Sequence, residues 1–355
     1  MIVPFFIAHQ GCPHQCVFCD QRTISGDNGE LPSASAILST IEAYRSSADG
    51  VVEVAFYGGT FTCLARKEQE SLLAPLQPLL QRGDVTSVRI STRPDAVSGE
   101  DATFLASRGV RTVELGVQSL DDAVLDAAGR GHTAGDTVLA CRTLKTAGLC
   151  VGLQLMPGLP GASWQSDLDS FAAALRLDPS FLRIYPTVVL AGTPLAALFL
   201  SGSYRPLSLD RAVRLCAFML LAARRAGVPV IRMGLQASDS LAQPDAVLAG
   251  PYHPAFRQLV EGELWFALLC QMVAGRETGG IVSVSCAPKR VSDVAGQRRM
   301  NLDRLAVAYG ITIERIVPDA GLFSHELVMT SQRGEWRADL LRDLNYTCER
   351  NDHVS

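Results

Sequence analysis

The stretch Gly11-Cys12-Pro13-His14-Gln15-Cys16-Val17-Phe18-Cys19 packs three thiols into eight residues. Its spacing is Cys-x3-Cys-x2-Cys, in a loop carrying Gly11 and Pro13 and preceded by the apolar run Val3–Ala8. Three thiolates this close can converge on one inorganic centre. An iron–sulfur cube has four irons, so three cysteines leave one iron open to chelate a small molecule and pass it an electron. Zinc is the competing reading, and structural zinc takes four protein ligands, usually as two close pairs. Here the nearest fourth donors are His14 and His9, and no second Cys-x2-Cys occurs in the chain.

Beyond this loop, residues 50–230 alternate short apolar runs with longer amphipathic ones. Strands are expected at Val51–Tyr57, Ser87–Ser91, Thr112–Gly116, Cys150–Met156, Phe181–Thr187 and Val228–Met233. Val3–Ala8 is a first strand or only a lead-in to the loop. Helices are expected at Ser33–Ser46 with Ser33 as N-cap, Gln69–Gln81, Asp101–Ser107, Ala123–Ala128, Asp136–Ala147, Ser166–Leu175 and Asp210–Ala226. About six strand–helix units in succession argue a partial parallel barrel, with the chemistry at the C-terminal strand ends.

Past residue 235 the pattern changes. Ala237–Tyr252 reads as loop with a helical piece. A helix at Phe256–Ala274 leads into a strand–helix–strand unit at Ile281–Cys286, Leu302–Tyr309 and Ile311–Val317, and a helix is expected from Trp336. The domains are therefore set at residues 1–235 and 236–355.

Composition narrows the classes. The 355 residues are 48% hydrophobic and 19% charged, ordinary for a globular protein, with a net charge of −4. Global charge gives no support for a nucleic-acid partner. Arg224-Arg225, Lys289-Arg290 and Arg298-Arg299 are potential phosphate contacts that read first as solvated surface. No apolar run is long enough to span a membrane and the N-terminus is unlike a signal peptide, so a cytoplasmic protein is expected. Cys63, Cys141, Cys150, Cys216, Cys270, Cys286 and Cys348 are scattered and read as small buried hydrophobes. They supply no auxiliary cluster.

Several strand ends carry polar or glycine-bearing motifs. Tyr57-Gly58-Gly59-Thr60 lets the backbone approach a ligand. Ser91-Thr92-Arg93-Pro94-Asp95 closes the next strand, with Arg93 read first as a surface charge. Glu114-Leu115-Gly116-Val117-Gln118-Ser119 is followed by Gly129-Arg130-Gly131-His132-Thr133. Gln118 both donates and accepts, and Arg130 suits a carboxylate. His132 divides evenly between structural and functional readings. Gln154-Leu155-Met156-Pro157-Gly158-Leu159-Pro160-Gly161 and Leu182-Arg183-Ile184-Tyr185-Pro186-Thr187 close two more strands, and Gly192-Thr193-Pro194-Leu195 follows. Tyr252 and His253 read first as loop packing.

The cysteine spacing, with Phe18 before the last cysteine, resembles the signature of the radical S-adenosylmethionine (SAM) superfamily. The resemblance implies a radical SAM type (β/α)6 partial barrel with a small α+β C-terminal domain. It implies a 4Fe–4S cluster on Cys12, Cys16 and Cys19, and SAM cleaved to a radical that abstracts hydrogen. It also implies SAM contacts at Gly58, Gly59, Thr60, Gln118 and Arg130, with adenine near the Phe18 backbone. Ser91 stands where relatives often carry Glu, and Gln154 where they use Asp or His. The ordered set over residues 3–195 is similar to the Elongator catalytic-subunit branch. That branch points to tRNA or another nucleic acid as substrate and, for the family generally, to an electron donor such as flavodoxin or ferredoxin. A chain ending at 355 leaves no room for the acetyltransferase domain found there, so a short, single-cluster enzyme is expected. The alternative is a non-catalytic zinc or iron–sulfur binding module.

Overall fold

A computed structural model describes residues 1–25, 30–47, 52–236, 238–243, 245–277 and 279–347. Packing divides the chain into two units: Met1–Leu207 with Val228–Tyr252, and Ser208–Gly227 with His253 onward. The expected boundary at residue 235 misses that Ser208–Gly227 packs with the second unit. Local pattern shows a helix there but not the surface on which it rests.

The first unit is built on seven parallel strands: β1 (Ile2–Phe6), β2 (Val52–Tyr57), β3 (Val85–Thr92), β4 (Val110–Gln118), β5 (Cys150–Leu155), β6 (Phe181–Ile184) and β8 (Val230–Met233). They pair in chain order, with β1 and β8 at the edges. The short β7 (Val189–Leu190) pairs antiparallel with β9 (Val247–Ala249) outside this sheet. Alternate residues divide between two faces. Val54, Phe56, Val88, Ile90, Val113, Leu115, Leu153 and Ile184 are fully buried apolar side chains. Tyr57, Ser91, Glu114, Gln154 and Arg183, at the intervening positions, line an inner cavity. A parallel sheet buried on both faces with a polar inner side is the wall of an open half-barrel. Val3–Ala8 is thus a true strand element, since β1 pairs with β2 from Ile2↔Glu53 to Phe6↔Tyr57.

Helices mostly start where side chains can cap them. Ser33 accepts from the Ala36 N–H at 3.2 Å. Ser98 and Asp101, Thr133 and Asp136, and Ser163 and Ser166 form reciprocal capping boxes. The single helix expected at Gln69–Gln81 is instead Arg66–Leu73, a 3-10 turn Ala74–Leu76, and Gln77–Arg82. Pro75 and Pro78 each remove a helical N–H, so the run is reset twice. The helix Pro194–Leu200 was not foreseen, although Thr193 caps it and Pro194 suits its first turn.

In the second unit, helix Leu209–Arg225 packs on Phe256–Val273. Its sheet has the order β11 (Thr312–Pro318), β10 (Ile281–Cys286), β12 (Glu326–Ser331), β13 (Gly334–Asp339). The parallel β10–β11 pair, with helix Met300–Tyr309 between them in sequence, matches the expected strand–helix–strand unit. The helix expected from Trp336 is wrong: this segment is the second arm of a hairpin, with Trp336 opposite Met329. Gly334, directly opposite Ser331, opens that arm.

Cys141, Cys216 and Cys286 are buried as expected, whereas Cys63 and Cys150 are exposed and Cys270 is half-buried. Cys348 lies outside the described residues. No helix among the described residues is long and apolar enough to cross a membrane.

Candidate active site

The cysteine loop follows β1 and is stitched to three neighbours by backbone hydrogen bonds. The His9 N–H donates to the Gly58 carbonyl at 3.0 Å, and the Thr60 N–H donates to the Gln10 carbonyl at 2.9 Å. The Val17 N–H donates to the Ala128 carbonyl at 3.1 Å, and the Leu195 N–H donates to the Val17 carbonyl at 2.8 Å. The loop is therefore held jointly by the segments after β2, β4 and β7. Phe18 is buried among Cys16, Val124, Ala128, Leu159, Leu195 and Tyr204, so its ring anchors the loop, and the residue also borders the cavity.

Every candidate residue lines that one cavity of about 1170 Å3: Cys12, Cys16, Cys19, Phe18, Gly58, Gly59, Thr60, Ser91, Gln118, Arg130 and Gln154. The elements that bring them together lie far apart in sequence but share one end of the sheet. Cys12 Sγ lies 3.3 Å from Thr60 Oγ1, joining the first two motifs. Gln118 sits at a bulge in β4 with φ of +66°, a left-handed conformation that costs a non-glycine residue strain. Its side chain accepts from Gln154 Nε2 at 3.2 Å. The side chain of Arg130 is buried; its Nη1 donates to Cys16 Sγ at 3.1 Å and its Nη2 to the Gly116 carbonyl. Its Nε has no partner. Arg93, read as a surface charge, is instead buried: it pairs with Asp95 and donates to the Arg130 carbonyl, and so braces Arg130.

His132 resolves to a structural strut. It is buried, its Nε2 lies 3.2 Å from the Val117 carbonyl, and burial followed by Arg130 lowers it to about 4. It stays neutral at ordinary pH and ties the Gly129–Thr133 loop to β4. Tyr252 packs as a half-buried residue beside Val188, Leu190 and Leu241, matching its loop-packing reading.

The thiols are close enough to oppose one another's ionisation. Burial, then Cys16 and Cys12, push the Cys19 thiol up to about 12. A metal that takes thiolate would displace those protons. Among the described residues, no three His, Cys, Asp or Glu side chains converge closely enough to share one ion. A zinc ion would need its sulfurs about 4 Å apart, given a Zn–S bond of about 2.3 Å. His9, a candidate fourth zinc ligand, uses Nε2 to accept from the Gln21 N–H at 3.0 Å. Three thiols on a glycine-supported loop, facing a roomy polar cavity with an unpartnered buried guanidinium N–H, fit a larger cluster and a polar ligand beside it.

Residues 6–172 match the Radical SAM superfamily and residues 179–265 match the Radical_SAM C-terminal domain. The chain belongs to the radical SAM superfamily. As a radical SAM enzyme its cofactors are a 4Fe–4S cluster and SAM. Its relatives mark the Elongator-like branch. A tRNA uridine(34) acetyltransferase of Dehalococcoides mccartyi is 39% identical over 232 residues, covering 55% of this chain and 50% of that protein. One of Methanocaldococcus jannaschii is 25% identical over 258 residues, covering 61% and 48%. The chain spans about half the length of these curated relatives. The solved Methanocaldococcus infernus Elp3 with an N-terminal deletion shares the fold, with a TM-score of 0.58 at 19% identity, covering 92% of this chain and 72% of that one.

The wall of the radical SAM half-barrel holds residues to which sequence reading assigned no role. Glu114 accepts from Arg89 at 2.9 Å and also from Arg183, and Arg89 pairs with Glu53 at 2.9 Å. The Arg183 guanidinium lies over the rings of Tyr57 and Tyr185. Charged residues at every second position of otherwise apolar parallel strands were the available signal.

One support of this wall titrates near neutrality. Asp167 is buried and accepts from the Gly158 N–H at 3.0 Å, while Tyr204 donates to the Gly158 carbonyl at 2.6 Å. Burial raises the Asp167 carboxyl to about 7, with the Gly158 N–H pulling the other way. The folded form is above the unfolded value of about 3.9. The stability it supplies is therefore complete below that value and is lost as pH rises to about 7. In paired calorimetric melts, Asp167→Asn should gain on the wild type between these limits and hold a constant advantage above them. A difference that does not change with pH would sink this assignment.

Proposed function

We propose that Cys12, Cys16 and Cys19 hold the cluster, that Gly58, Gly59, Thr60, Gln118 and Arg130 hold SAM, and that the substrate enters the polar lumen beside them. Bound there, the cluster would supply the electron for reductive cleavage of SAM, the chemistry by which such a site would abstract a hydrogen atom from the substrate. The observation that carries this reading is the gathering of all these residues on one cavity. Arg130, braced by Arg93, offers its guanidinium to a carboxylate and faces Cys16. Gly58 and Gly59 let backbone groups reach a small ligand. Gln118 and Gln154 form an amide pair suited to ribose hydroxyls or a carboxylate. Ser91 lines the same cavity with a hydroxyl in place of a carboxylate.

The favoured substrate class is tRNA, supported by relatives named tRNA uridine(34) acetyltransferases. A flavodoxin or ferredoxin is the proposed electron donor. No disulfide joins the described cysteines, and the proposed setting is cytoplasmic. After anaerobic reconstitution, iron–sulfur absorbance and a reduced-cluster electron paramagnetic resonance signal are expected. With dithionite and SAM, deoxyadenosine is expected. Failure to form either a cluster or deoxyadenosine sinks the reading. A gel shift with bulk tRNA that weakens with salt supports the tRNA assignment, and no binding at low salt overturns it.

A further inference from the structure

Across β5, β6 and β8 the ladder sets Gln154 beside Arg183 and Arg183 beside Arg232. All three line the same cavity. Like charges directly opposite one another on neighbouring strands are destabilising. For Arg183 the cost is offset by Glu114 and by the Tyr57 and Tyr185 rings at 5.3 and 5.5 Å. Glu53 and Glu114 together face Arg89 and Arg183, so that network is neutral without Arg232. Arg232 has Gln236 Oε1 as its hydrogen-bond partner and, among the described residues, no carboxylate at ion-pair distance. It lies on the edge strand, exposed and two strands beyond the β4–β5 glutamines. Tyr185 lines the same cavity, its ring beneath the Arg183 guanidinium, and both Arg183 and Arg232 pull its phenol down against the upward push of burial. An excess cation thus faces the cavity of a chain whose net charge is −4.

We propose that Arg183 and Arg232, with Tyr185 beside them, form an oxyanion subsite that takes a phosphate or carboxylate group of the substrate. Two adjacent guanidinium forks suit bidentate capture of such a group. The bound oxyanion would neutralise the charge that the like-charged pair leaves uncompensated. The subsite therefore selects a substrate with an anionic group at one end and its reacting carbon toward the cysteine loop. This assignment rests on the cavity being the reaction site.

The test compares thermal unfolding of wild type, Arg232→Gln and Arg232→Lys in inorganic phosphate, acetate and chloride at matched pH and ionic strength. Wild type should melt higher in phosphate or acetate than in chloride, because a ligand bound only by the folded state stabilises it. The Arg232→Gln variant should lose that response, with at least a tenfold weaker apparent affinity, and in chloride should melt no lower than wild type. Arg232→Lys should keep part of the response, since it keeps the charge and loses the fork; it also carries the test should the Gln variant not fold. A response to phosphate alone assigns the anionic group as a phosphate, and a response to acetate assigns it as a carboxylate. Equal wild-type stability in all three salts overturns the subsite, as does an unchanged response after Arg232→Gln. Deoxyadenosine formation by the wild type is read separately. Its absence counts against the radical chemistry and leaves the anion result as it stands.

Discussion

Replacing Cys16 by serine is expected to abolish cluster assembly, and with it all deoxyadenosine formation from SAM and dithionite. A serine hydroxyl is a poor iron ligand at neutral pH, because thiolate is the ligating form and an alkoxide is far harder to generate. Cys16 is also the most buried of the trio and the one facing Arg130. The fold should survive, since serine is close in size to cysteine and Arg130 Nη1 still has an acceptor there. The control is Cys63→Ser, an exposed thiol close in space to the loop but not lining the cavity. It should reconstitute normally and stay within about 0.5 kcal/mol of the wild type, as surface substitutions do. A Cys16→Ser protein with normal iron content and full deoxyadenosine yield would remove the cysteine loop from the chemistry.

The Gly59→Ala substitution should be among the most damaging single methyl groups at the site. A Cβ built at Gly59 falls 2.5 Å from the Gln10 carbonyl oxygen and 2.6 Å from the Ile7 carbonyl oxygen. Both are backbone atoms of the segment leading into the cysteine loop, so no side chain can rotate away. Overpacking of this kind costs roughly 1–3 kcal/mol. Here the upper end is expected, because relief requires moving the chain that holds Cys12. The Thr60 N–H to Gln10 carbonyl bond would be lost as the two segments part. The measurable outcome is a lower melting temperature together with incomplete iron incorporation. A Gly99→Ala protein, where a Cβ meets nothing within 4 Å, is the matched control and should behave as wild type. Equal iron content in the Gly59→Ala protein would show that the contact between the two loops is not needed for the cluster.

Both predictions begin from motifs that were legible as sequence. Strand ends with glycine, proline or a lone polar residue stood out against apolar runs, and their order matched one superfamily. What could not be read was the partnership of side chains across strands. Arg93 looked like a surface charge because its neighbours in sequence are polar. It is buried because Asp95 and the Arg130 carbonyl satisfy it from within the fold. Thr133 looked like part of a ligand motif, yet its hydroxyl caps helix Ala134–Thr146. Trp336 looked helical because pairing with Met329 is a contact made only when β12 and β13 fold together.

The sequence by itself pointed to the superfamily and to the class of fold. Three cysteines in one short loop read as a proposed ligand set, and the period of the apolar residues reads as a parallel sheet with helices, because both are local properties of the chain. Only the tertiary structure decided which charges face the lumen and which are already neutralised. Glu114, Arg183 and Arg232 come from three strands, separated by 69 residues in the first pair; ladder register sets Arg183 beside Arg232, and Glu114 reaches Arg183 from beyond β5. That register is fixed by burying every second residue of each strand against the helices, a constraint spread over the whole sheet and carried by no single motif.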